Sequence, residues 1–132
     1  MTRKEARDQA FVLVFEKSLN EYDVAEVIEA AKECRDFEVD EDGYVVKVFT
    51  GVYDNIDEID AYISKNLSGW SIDRISKVSL AVLRLAVFEI KHMDEIPAAV
   101  SIDEAVELCK KYSTADDASF VNGVLGSIVK AD

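Results

Sequence analysis

The sequence predicts an all-α protein, and three observations carry that reading. One proline and five glycines are all that interrupt 132 residues. Runs alternating apolar and polar residues, as a half-buried strand requires, are almost absent. Apolar residues instead recur at three-and-four spacing in one segment after another, the period of a helix with one buried face.

A first helix is expected over roughly Arg3 to Ser18, with Ala6, Ala10, Leu13 and Val14 inward. Arg3 and Arg7, at i and i+4, would then share one outer stripe. A second helix follows the turn at Asn20 to Asp23, placing Val24, Val27, Ile28 and Ala31 on one face and acidic side chains on the other. The longest helix is expected from Asp42 to about Leu67, because Val45, Val48, Val52, Ile56, Ile59 and Ile63 keep the period throughout. Gly69 in "NLSGW" is suited to a C-terminal cap. A short helical turn from Ser71 leads into "VSLAVLRLAVFEI" (78–90), which is apolar nearly all round apart from Arg84 and Glu89. Such a helix is buried among others and should form the centre of the fold.

Pro97 disfavours helix just before it. Ser101 and Glu104 then fit an S-x-x-E capping box, with Ile102, Ala105, Val106, Cys109 and Tyr112 inward from that start. Ser113 to Asp116 repeats the pattern in weaker form ahead of a last helix reaching about Lys130. Within it, "FVNGVLGSI" (120–128) sets Asn122 and Gly123 inside an apolar stripe. Gly in a helix interior costs about 1 kcal/mol relative to Ala, and Asn roughly half that, so the pair needs a compensating reason. A buried hydrogen-bonding role for Asn122 and a close helix approach at Gly123 would supply one.

Length suits a single domain over 1–132. Hydrophobic residues at 49% and charged residues at 32% argue against disorder. No apolar run reaches the roughly 18 residues of a bilayer span, and no cleavage site follows the short apolar stretch near the start, so a cytosolic protein is expected. Cys34 and Cys109 lie far apart without CxxC spacing, which favours free thiols over a disulfide or zinc site. The net charge of −12 disfavours nucleic acid as a partner at first sight. The acidity is local, however: residues 21–42 hold ten acidic and two basic side chains, whereas residues 1–20 carry four basic and three acidic ones. A weakly basic surface around Arg3, Lys4 and Arg7 is compatible with that distribution.

Catalytic and metal patterns are weak. Glu89 and His92 form an E-x-x-H pair of the di-iron type, but His92 is the single histidine and no second copy exists. No nucleophile, base and acid set can be assembled, and "GVLGSI" lacks the strand and glycine spacing of a phosphate loop. No enzyme activity and no cofactor are expected. Arg84, on an apolar helix, must be paired or lie at the surface. Glu89, Glu104 and Asn122 are its candidate partners in a structural polar network, with an RNA contact as the other reading.

"AVLRLAVFEI" (81–90), "IPAAVSIDEAVELCKKY" (96–112) and "SFVNGVLGSI" (119–128), with Ala6-Arg7 near the start, together resemble the bacterial transcription antitermination family NusB, in order and spacing and over essentially the whole chain. The resemblance implies an all-α NusB-like fold of about seven helices in two small side-by-side bundles, without catalysis. It implies binding of the boxA element of ribosomal RNA leaders together with NusE, a ribosomal small-subunit protein, so that RNA polymerase reads through terminators. Carried over by position, Arg3, Lys4 and Arg7 would hold phosphates, which positions RNA without reading its sequence. Phe120 and Phe15 match aromatic positions near the RNA path, although an aromatic at helical spacing also serves as core. Asp116 matches an acidic position of the NusE face, or is only a charge favoured at a helix start. The family often carries a denser arginine cluster in the first helix, whereas Glu5 and Asp8 are interleaved here. Each neutralised phosphate on a single strand contributes about 0.7 to the salt slope, so three cations predict weak binding alone. A helical module that binds NusE with little RNA affinity is the alternative.

Overall fold

The computed structural model describes residues 1–34 and 43–131. Seven helices follow in order: α1 Arg3–Ser18, α2 Val24–Glu33, α3 Tyr44–Asp54, α4 Ile56–Lys65, α5 Lys77–His92, α6 Ala98–Tyr112 and α7 Ala115–Lys130, with a single 3-10 turn at Ile72–Arg74 before α5. No strand occurs among the described residues.

Local chemistry fixes the starts. Thr2 caps α1 by accepting from the Glu5 amide at 3.1 Å, while Glu5 accepts from the Thr2 amide at 3.0 Å. Asp23 and Glu26 repeat this reciprocal box on α2. Ser76 caps α5 through the Ser79 amide, and Thr114 caps α7 through the Asp117 amide. The cap of α7 therefore lies one residue later than the Ser113 pattern suggested.

Two expectations are corrected. The long helix expected up to Leu67 is two helices, broken at Asn55 with φ −117° and ψ 23°; its expected start at Asp42 lies outside the described residues. The Asn55 side-chain amide donates to the Gly51 carbonyl at 2.8 Å, a local bond that competes with continuation of the helix. Ser101 is no N-cap either, because α6 already begins at Ala98 behind Pro97. Its hydroxyl points inward and donates to Glu89 Oε1 at 2.7 Å.

Helix α1 packs on α3, with α2 against both, and α6 packs on α7; α5 touches α1, α3, α4, α6 and α7. The result is two small bundles side by side with α5 between them. Phe11, Leu13, Phe49, Ile59, Ile63, Leu83, Leu85, Leu125 and Ile128 are buried in the shared core. Each contributes about 1.5–3 kcal/mol by leaving water. Helices α3 and α5 meet at Gly51, where a β-carbon would fall 2.2 Å from the Phe88 ring.

Candidate nucleic-acid interface

The Thr2–Glu5 box places Arg3 and Lys4 in the first turn of α1, where the helix dipole disfavours cations. Both are exposed, and the Lys4 side chain retains 68% of its accessible surface. The Arg3 guanidinium lies over the Tyr44 ring, 4.5 Å from its centroid. Lys4 Nζ is 3.4 Å from Glu104 Oε2. Between α1 and α6 opens a cleft of about 500 Å³ whose lining mixes the basic Lys4, Arg7 and Lys111 with acidic side chains that include Asp8, Glu104 and Glu107.

Arg7 does not share the outer stripe with Arg3. Four residues before Phe11 and seven before Val14, it lies on the inner side of α1 with its side chain only 5% exposed. Its Nε donates to Glu89 Oε2 at 2.8 Å and its Nη2 to Glu89 Oε1 at 3.4 Å. Glu89 is fully buried and also accepts from the Tyr44 and Ser101 hydroxyls. Donors from α1, α3 and α6 thus converge on one carboxylate of α5, which offsets its desolvation. Burial pulls the Arg7 pKa down, but the hydrogen bonds and charge of Glu89, with Tyr44 and Glu104 behind it, leave it raised on balance. Burial first, then the Glu89 charge, pushes the Tyr44 phenol well above its ordinary value.

The polar network is therefore real but differently composed. Glu89 and Glu104 belong to it, with Glu104 Oε2 3.6 Å from Arg7 Nη1. Arg84 instead grips Asp60 of α4 with two bonds of 2.9 Å, because it points to the opposite side of α5. Asn122 is exposed, and a β-carbon at Gly123 would meet nothing within 4 Å. The pair is tolerated because it faces solvent, and no neighbouring helix approaches there.

Phe15 is half-buried and stacks on Phe11 with ring centroids 6.0 Å apart. Phe120 is half-buried too, on the rim of a second cleft of about 300 Å³ that it shares with Trp70, Arg74, Ile75 and Asp117. Asp116 is exposed in the first turn of α7, heading a polar face with Ser119, Asn122, Gly123 and Ser127. His92 neighbours Glu58 at 3.1 Å, and no metal-binding group of acids, cysteines and histidines occurs among the described residues. Tyr44, Trp70 and Arg74 escaped the sequence reading. The signal for Trp70 was a lone tryptophan directly after a glycine turn.

The family model described as "NusB family" matches residues 4–130. The transcription antitermination protein NusB of Clostridium novyi is 39% identical over 99% of this chain and 100% of that protein. That of Listeria monocytogenes serotype 4a is 42% identical over 100% and 99%. Among solved structures, the antitermination factors NusB and NusE in complex with dsRNA provide a chain with TM-score 0.87 at 33% identity, covering 98% of this chain and 97% of that one. T. maritima NusB superposes with TM-score 0.84 at 32% identity, over 98% and 92%. A family match across nearly all of the sequence, full-length relatives near 40% identity and the same helical fold lead to one conclusion: the chain belongs to the NusB family of transcription antitermination factors.

Proposed function

We propose that this protein acts in the cytosol as an RNA-binding antitermination subunit that joins NusE on boxA-type single-stranded RNA and helps RNA polymerase read through terminators. The carrying observation is the first turn of α1: two exposed cations, Arg3 over the Tyr44 ring and Lys4 beside Glu104, stand against the helix dipole in a chain of net charge −12. A complex of NusB, NusE and dsRNA among the structural neighbours supports NusE and RNA as partners. Phosphates run past Arg3 and Lys4, and Phe120 offers a ring to a splayed base. Phe15 contributes an edge at most, since Phe11 covers one of its faces.

Arg7 serves this surface indirectly, by docking α1 on Glu89. Two phosphate contacts then remain, which corresponds to a salt slope of roughly 1.4. So shallow a slope favours NusE as the source of much of the affinity. The outer face of α7, headed by Asp116, suits NusE, because Gly123 and Gly126 leave room for close backbone approach.

The test is fluorescence anisotropy of labelled boxA RNA with this protein, with and without NusE, at two salt concentrations. Binding that strengthens with NusE and is lost in the charge-reversed pair Arg3→Glu and Lys4→Glu is the expected result. NusE binding without any gain for RNA would identify a protein-only helical module instead.

A further inference from the structure

Arg3 and Lys4 are neighbours on α1, yet they are held in different ways. Lys4 Nζ lies 3.4 Å from Glu104 Oε2, a carboxylate that a phosphate has to displace. Arg3 Cζ lies instead over the Tyr44 ring, 4.5 Å from its centroid. An aromatic face attracts the cation but offers no lone pair to the edges of a guanidinium, so the N–H donors that grip a phosphate stay available.

The ring itself is fixed from the core. Tyr44 is the first residue of α3, and its hydroxyl donates to Oε2 of the buried Glu89, the same atom that accepts from Arg7 Nε. Burial and the Glu89 charge push the phenol well above its ordinary value, so the hydroxyl remains a donor. Donation to a carboxylate makes the ring richer in electrons, which favours a cation on its face. The Arg7 guanidinium is 5.7 Å from the same centroid, so one ring serves a buried arginine and an exposed one.

We propose that Tyr44 is a positioning residue for RNA binding: its ring, anchored on Glu89, holds the Arg3 guanidinium at the head of α1 ready for a phosphate. A long side chain on the first turn of a helix otherwise loses its rotamer freedom only when the ligand arrives, and prior stacking removes part of that cost. The two cations therefore contribute unequally, Arg3 pre-organised and Lys4 first having to leave Glu104. The assignment rests on the RNA-binding reading and adds to it a residue of α3 that acts through Arg3.

A double-variant cycle on the full-length protein with NusE tests this, read by anisotropy of labelled boxA RNA at one low salt concentration. Tyr44→Leu is expected to weaken RNA binding about three- to fivefold. In the Arg3→Ala background the same change should cost nothing further. Tyr44→Phe keeps the ring and loses the bond to Glu89, so it should recover most of the affinity lost in Tyr44→Leu while still melting below the unaltered protein. Affinity and stability then separate, as a purely structural role does not allow. A second measurement needs no variant at the ring: in the NMR spectrum of the free protein, the Arg3 side-chain protons, assigned by comparison with Arg3→Lys, are expected upfield of ordinary arginine positions through the Tyr44 ring current. An equal loss from Tyr44→Leu with and without Arg3, or Arg3 protons at ordinary positions, overturns the positioning role and leaves the RNA-binding reading intact. Absence of any anisotropy change with the unaltered protein overturns both.

Discussion

Arg7 and Glu89 lie 82 residues apart in sequence and meet through two parallel hydrogen bonds inside the protein. Removing one partner strands the other charge in the core, which costs about 3–5 kcal/mol. Glu89→Leu is therefore expected to lower urea-unfolding stability by that amount. The double variant Arg7→Met with Glu89→Leu should recover part of it, leaving the Tyr44 and Ser101 hydroxyls as the residual cost. Equal losses from the single and double variants would contradict this account.

Gly123 and Asn122 test the opposite kind of site. A β-carbon at Gly123 meets open space, and the residue lies in the interior of α7. Gly123→Ala should stabilise the free protein by about 0.5–1 kcal/mol, read as a higher melting temperature. If NusE uses this face, the same variant weakens the complex in calorimetric titration.

Gly51→Ala has the reverse outcome although both glycines are helical. The added carbon falls 2.2 Å from the Phe88 ring, which is itself 5% exposed and stacked on His92. Overpacking of this kind costs about 1–3 kcal/mol. Chemical denaturation should show a lower midpoint, and a pairing with Phe88→Leu should relieve it.

Alkali should unfold the protein through its buried weak acids. Burial, with Asp117 nearby, raises the Cys109 thiol from 9.0 to about 11, and burial raises the Tyr53 phenol from 10.0 to about 12. Below pH 9 these groups are protonated in both folded and unfolded chains and leave stability unchanged. Above it the unfolded chain releases its protons first, so stability falls from about pH 9 until the folded values are reached. Thermal melts across pH 8–12 check this, and Cys109→Ala should flatten the first part of the decline.

The helices were legible because their chemistry is local. Apolar residues at three-and-four spacing drew α1 and α5 within two residues of both ends, together with the start of α2 and the end of α7. Asn55 was missed for an equally physical reason: Val52, Ile56 and Ile59 keep the helical period across the break, and only the Asn55 bond to Gly51 interrupts it. Ser101 and Glu104 imitate a capping box in one dimension, yet Pro97 starts the helix four residues earlier. The interface was less legible. Arg3 and Lys4 stand exposed, as their place at the head of α1 suggested, but Arg7 looked like their neighbour because its partner comes from another helix far along the chain. Its place four residues before Phe11 was the available signal. Arg84 failed the same way, since Asp60 gives no sequence sign of standing opposite it.

The position of α5 between the two bundles has a consequence for how the molecule opens. Each bundle borrows the same helix as a wall, and the Glu89 carboxylate on it is tied to α1, α3 and α6 at once. Neither half can come apart without exposing the wall of the other, so partial unfolding has no cheap route through the centre. Amide hydrogens along the middle of α5 should exchange with solvent deuterium only when the whole chain unfolds, while those near the ends of α2 and α7 exchange through local fraying.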